Sequence, residues 1–296
     1  MAMVISIYDL DSKFPNIAVM KTINFCKRKG FKYEKYIPLK HDFYDKIFAF
    51  SLFNFTDKQF VSNKMECGGT GFDIMKTLPL EIECCDLDYS FYPDSKLSIQ
   101  FLSRGCIRKC PFCVVPQKEG FIRPVEPMNL NPIGESIEIL DNNFFANPEW
   151  RTAIATLKKW NQPVHFGTGI DARILDEEQA KALLLLHHSK QIKMAWDNPK
   201  EKIDWQNIIK WIPAYRIMVF VLIGYNSTQE EDLYRIEYLR ALKIDPFVMP
   251  YNKKDLYQNN LARYVNHKAI FKSISFVEYL RYRKYRSVID EQLKLW

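Results

Sequence analysis

Six short apolar runs, each followed by a longer stretch of mixed apolar and charged residues, constrain the fold of this chain more than any other feature. The runs are Leu97–Leu102, Ser136–Leu140, Pro163–Phe166, Gln191–Trp196, Tyr215–Ile223 and Pro246–Met249. Each is short enough for a buried strand. The segments between them, Pro148–Trp160, Asp176–His187, Trp205–Trp211 and Thr228–Leu242, carry helical spacing with a capping residue or an acidic first turn. Strand and helix in regular alternation predict parallel strands joined by crossover helices. The expectation is an α/β chain, with these six strands forming a partial parallel (β/α)6 barrel, open on one side, over residues 96–255.

Ahead of the barrel segment, Val4–Tyr8 reads as a strand, Ile17–Lys29 as a helix stopped at Gly30, and Phe31–Ile37 and Lys46–Phe53 as further strands. A glycine-rich turn, CGGTGF, follows at Cys67–Phe72. The pattern breaks in LPLEIECCDLDYSFYP, where prolines and acidic residues interrupt any period. A small Rossmann-like α/β domain over 1–95 is therefore expected, with a helical tail over 256–296.

The first barrel strand runs into SRGCIRKCPFC, which places Cys106, Cys110 and Cys113 in a C-x3-C-x2-C run. Chemistry in α/β barrels gathers at the C-terminal ends of strands, and the run follows such an end. Thiolates hold iron–sulfur clusters, and three ligands on a four-iron cube leave one iron without a protein ligand. A structural zinc is the alternative, because Cys110–Cys113 is a C-x2-C knuckle. A tetrahedral site needs a fourth ligand, however, and the next histidine along the chain is His165. Cys26, Cys67, Cys84 and Cys85 depart from the pattern of a second cluster; Cys26 in an apolar helix reads as a buried free thiol.

Composition narrows the setting. The chain has 296 residues, 47% hydrophobic content and seven cysteines, without a charged and apolar leader or a run of about 18 apolar residues. ALLLL at 182–186 is too short to span a bilayer. The expectation is a protein without membrane segments in a reducing, cytoplasmic compartment. A net charge of +7 is modest and does not by itself establish nucleic-acid binding.

The cysteine run, with Phe112 directly before its third cysteine, resembles the signature of the radical SAM superfamily. The order of motifs extends the likeness over about Leu97–Tyr251. It is similar to the branch with an N-terminal cobalamin-binding-like domain, which includes methyltransferases and methylthiotransferases. What the resemblance implies is a [4Fe-4S] cluster on Cys106, Cys110 and Cys113 whose open iron chelates S-adenosylmethionine. LDNNFF supplies Asp141, Asn142 and Asn143 in the place of the turn that holds the methionine amino group. An Asx-rich cap on the next helix explains the same residues. GTGIDARIL supplies Asp171 for ribose hydroxyls and Arg173 for the methionine carboxylate, with a surface salt bridge as the alternative. Asp197 in MAWDNP stands where relatives meet the ribose. Gly224 in the turn after the fifth strand, with Met249 and Pro250 in FVMPY, would line the adenine.

The implied activity is reductive cleavage of S-adenosylmethionine to a 5'-deoxyadenosyl radical, with electrons from a donor such as flavodoxin or ferredoxin. RNA or a nucleotide-derived molecule is the first expectation for substrate. Cobalamin-assisted methylation of a small molecule or peptide is the second, and a zinc-stabilised binding protein without catalysis is a reading from another class. Cobalamin is not favoured, because the cobalt-ligating histidine motif is absent and about 95 residues are few to enclose that cofactor. The basic tail, with Arg263, Lys268, Lys272, Arg281, Arg283, Lys284 and Arg286 among tyrosines, suits a polyanion. An amphipathic helix with Phe276, Tyr279 and Leu280 packed inward suits it better.

Overall fold

The computed structural model describes residues 3–283, and the chain divides into two compact units at Gly167 and Thr168. Both are α/β with parallel sheets. Lys284 and Arg286 of the basic tail lie outside the described residues.

The first unit opens with β1 (Val4–Asp9), α1 (Ile17–Lys29), β2 (Lys32–Lys35), β3 (Lys46–Phe50) and β4 (Met65–Gly68). They form one all-parallel sheet in the order β2-β1-β3-β4. Sequence and structure agree on both ends of α1. Asn16 accepts from the Ala18 amide at 2.9 Å, and Gly30, at φ 69°, donates to the Lys27 carbonyl, while Phe31 reaches back to Cys26. This is the left-handed stop that glycine makes without strain. Ile5 and Ile7 of β1, Phe48 and Phe50 of β3, and Val19, Ile23 and Cys26 of α1 bury one core with Ile82. Ile82 lies in the single-turn α2 (Leu80–Glu83).

A second parallel sheet in the same unit has the order β5-β8-β9, from β5 (Leu97–Gln100), β8 (Ser136–Ile139) and β9 (Val164–Phe166). Between β5 and β8 the chain makes β6 (Ser103–Arg104), α3 (Val115–Lys118) and β7 (Arg123–Pro124), with β6 and β7 as a two-residue antiparallel ladder. α4 (Trp150–Trp160) joins β8 to β9 and buries Ala153, Ile154 and Leu157. Met20 of α1 packs with Leu87, Tyr89 and Ile99. The core of this unit thus runs from its first helix to β5, across the expected boundary near residue 95.

The second unit contains α5 (Glu177–Leu184), β10 (Ile192–Ala195), α6 (Trp205–Trp211), β11 (Ile217–Ile223), α7 (Gln229–Ala241) and β12 (Asp245–Pro250). Its sheet is parallel in the order β10-β11-β12. α5 and α7 start in full capping boxes, Asp176 with Gln179 and Thr228 with Glu231. β11 begins two residues later than the apolar run predicts, because 214–216 take a tight 3-10 turn after Pro213.

α8 (Leu256–Asn266) and α9 (Lys268–Ser273) follow, and 276–283 are helical. Phe276 and Tyr279 are buried against Tyr264, with ring centres 5.3 and 5.4 Å away. Leu280 is half-buried. The inward-packing reading of this segment holds, and Lys268 and Lys272 both pair with Asp245, at 2.6 and 3.4 Å. Among the described residues no helix is long and apolar enough to cross a membrane.

Candidate iron–sulfur loop and its neighbours

The cysteine loop leaves the C-terminal end of β5 and is closed at its neck by the ladder between β6 and β7. Gly105 makes the closure possible. It sits at φ 86°, and a Cβ there would lie 2.3 Å from the Phe121 carbonyl oxygen, so no side chain fits. The Cys106 amide donates to the Gly120 carbonyl at 3.2 Å, on the same neck.

Glu119 ties this neck together. Its carboxylate accepts from the Gly105 amide at 3.0 Å and from Asn142 Nδ2 at 2.8 Å, and it pairs with Arg104 at 2.9 Å. One half-buried acid thus joins the base of the loop to the turn after β8. Nothing in the sequence marks Glu119, since it lies outside every motif and its partners are distant along the chain.

Within the loop, the Cys113 amide donates to the Cys110 carbonyl at 2.9 Å, the turn that a two-residue spacer allows. Cys106 Sγ accepts from the Arg108 amide at 3.3 Å and from Asn143 Nδ2 at 3.6 Å. Cys106, Cys110 and Phe112 are half-buried and Cys113 is exposed. Three thiols on one braced loop, one of them taking two N–H donors, fit the needs of an iron–sulfur cluster, whose potential depends on hydrogen bonds to its sulfurs. Among the described residues no three His, Cys, Asp or Glu side chains converge as they would around a single ion.

The turn after β8 is divided in its work. Asp141 is 1% exposed, accepts from the Leu102 amide at 2.8 Å and Ser103 Oγ at 2.5 Å, and so fixes the exit of β5. Burial pushes its carboxyl up to about 6. Asn142 faces Glu119 and Asn143 faces Cys106, so the Asx run supports the cysteine loop from beneath. Phe144 and Phe145, next in line, anchor the turn in the core.

The sequence-predicted residues of the second unit fall into two groups. Arg173 Nε donates to Asp171 at 2.6 Å and its Nη1 to Glu201, a partner that the motifs did not indicate. Burial, reinforced by the Glu201 charge, pushes the Asp197 carboxyl up to about 6. Gly224 ends β11 at φ 72°, and a Cβ there would meet Gln258 Nε2 at 2.2 Å. Its amide donates to Asp232 at 2.9 Å, and Asp232 is paired at 2.5 Å with a fully buried Arg235. Arg235 also donates to the carbonyls of Trp196 and Leu222, at 2.6 and 2.8 Å. The ends of β10 and β11 are thereby fastened to α7. Met249 and Pro250 lie at the end of β12, opposite Leu222 and Ile223.

Of the remaining cysteines, Cys26 and Cys85 are buried, Cys67 is half-buried and Cys84 is exposed. Burial pushes the Cys26 thiol up to about 11, the state of an inert core thiol. At the C-terminal edge of the first sheet, where β1 and β3 diverge, Asp11 accepts from Ser51 Oγ, Thr56 Oγ1 and the amides of Leu52 and Phe53. That edge is where doubly wound sheets hold ligands, and here its carboxylate is engaged by the chain's own loops. Comparison with known proteins finds no family model that matches the chain and no curated protein similar to it.

Proposed function

We propose that this chain is a radical SAM enzyme, with Cys106, Cys110 and Cys113 holding a [4Fe-4S] cluster. The observation that carries the reading is the braced loop itself. Three thiols leave the end of a parallel strand, and Gly105 and Glu119 hold the loop's neck to the Asn142–Asn143 turn. When bound, the cluster supplies the electron that splits S-adenosylmethionine into methionine and a 5'-deoxyadenosyl radical. In this reading Asn143 and the Arg108 amide tune the cluster through the Cys106 sulfur. Arg173, held rigid by Asp171 and Glu201, binds the methionine carboxylate, and Asp197 takes a ribose hydroxyl. The backbone at Gly224, Met249 and Pro250 offers a face to adenine.

The finer fold is part of the same proposal: six parallel strands, β5, β8, β9, β10, β11 and β12, as the wall of a partial (β/α)6 barrel. A flavodoxin or ferredoxin is the electron donor, and RNA or a nucleotide-derived molecule is the substrate. Free thiols and a reducible cluster suit the cytoplasm. No role is assigned to cobalamin.

Anaerobic reconstitution tests the reading. The wild-type chain should bind about four irons with matching sulfide and, with a chemical reductant and S-adenosylmethionine, release 5'-deoxyadenosine. Cys106→Ala, Cys110→Ala and Cys113→Ala should each lose the cluster and the product. A chain that takes up zinc alone, or a cysteine variant that keeps wild-type iron and product, would overturn it.

A further inference from the structure

His165 stands in the middle of β9, 6% exposed, beside Glu138 on β8 in the parallel register. Its Nδ1 is 2.7 Å from Glu138 Oε2. A carboxylate only accepts, so this contact places a proton on Nδ1, and in the neutral ring Nε2 keeps its lone pair. Nε2 is buried and has no hydrogen-bond partner among the described residues.

The surroundings are built for the pair. Gly167, two residues beyond His165, has no Cβ where one would lie 2.0 Å from Glu138 Oε1. A larger residue would expel the carboxylate. The pair also sits toward the C-terminal edge of the β5-β8-β9 sheet, the edge from which the cysteine loop and the Asn142–Asn143 turn emerge. A core that needed only packing would place an apolar residue at 165, since a buried imidazole with one open nitrogen is costly.

We infer that the buried pair His165–Glu138, through the open Nε2, is a binding site for an O–H or N–H donor of a nucleoside ligand. The nucleoside class rests on the proposed function, and the donor is a ribose hydroxyl or a base amino group. Two sources share that chemistry: the adenosyl part of S-adenosylmethionine and a nucleotide of the substrate. Glu138 is the positioning residue, which holds the ring in the tautomer that accepts.

Nitrogen NMR on the full chain with ¹⁵N-labelled histidine tests this, because only five histidines contribute signals and His165→Gln identifies the relevant one. The His165 signals should show the Nδ1-protonated tautomer, and Glu138→Gln should disturb it. S-adenosylhomocysteine in one arm, and AMP, GMP, CMP and UMP in the other, then serve as probes. A shift of Nε2 with S-adenosylhomocysteine alone assigns the contact to the cofactor, and a shift with a nucleotide assigns it to the substrate. His165→Gln should weaken binding of the responding probe by about tenfold. An Nε2 signal unmoved by every probe overturns the inference, as does unchanged affinity in a folded His165→Phe chain. Failure of the enzyme reading shows separately, in iron content and 5'-deoxyadenosine.

Discussion

Asp141 was legible as a carboxylate in an Asx-rich turn, but its burial was not, and burial decides its behaviour. In the unfolded chain it titrates near the ordinary 3.8, and in the folded chain near 6. Asp197 follows the same pattern. A folded value above the unfolded one means that the folded chain holds the proton more tightly. The resulting stabilisation is complete below the unfolded value and is lost as pH rises through the folded one. Each group should therefore withdraw about 1 to 1.5 kcal/mol between about pH 5 and about pH 7.5. Urea unfolding at the two pH values should show that decline in wild type. Asp141→Asn, which keeps the side chain's shape, should remove about half of the part these two acids cause. An unchanged pH dependence in the variant would show that burial does not govern this carboxyl. Glu119 carries the opposite lesson for reading a sequence. The cysteines announce themselves by spacing, whereas the acid that braces their loop is an isolated residue whose partners come together only in the fold.

At the scale of elements the sequence was most informative where local signals agreed. α1 and α6 have the ends that capping and periodicity predict, and the six apolar runs all appear as strands of parallel sheets. Errors gathered at strand ends, where side-chain patterning continues after the ladder stops: Phe31–Ile37 contracts to β2, and Lys46–Phe53 to β3. Helix α7 hid its function in plain polarity. QEEDLYRIEYLRA is rich in charge, yet Asp232 and Arg235, three residues apart, are 1% and 0% exposed. That pair ties the helix to the ends of β10 and β11, so its loss should be felt well beyond α7. Arg235→Met leaves the Asp232 charge buried without its partner and should cost about 3 to 5 kcal/mol. Denaturant unfolding measures the loss. A variant within about 0.5 kcal/mol of wild type would show that Asp232 ionisation and the two carbonyl contacts do not hold these strand ends.

At the scale of the whole molecule the net charge of +7 invites a polyanion partner, and the structure shows how much of that charge is already committed. In the described part of the tail, Lys268 and Lys272 share Asp245, Arg283 donates to Asn260 at 2.8 Å, and Tyr264, Phe271, Phe276 and Tyr279 are buried while Tyr282 is exposed. Charge in the sequence is easily counted, but its pairing depends on β12 bringing Asp245 beside α9, which no local pattern discloses. Each lysine or arginine that meets a phosphate of single-stranded RNA steepens the dependence of log affinity on log salt by about 0.7. With two lysines held by Asp245, the wild-type dependence should be shallow. Asp245→Asn releases both ammonium groups and should steepen the slope by about 1.4 if the tail contacts RNA. Fluorescence anisotropy of a labelled single-stranded RNA across about 50 to 200 mM salt reads both slopes. Equal slopes in wild type and variant would remove the tail from the RNA interface and leave it as the packed closure of the second unit.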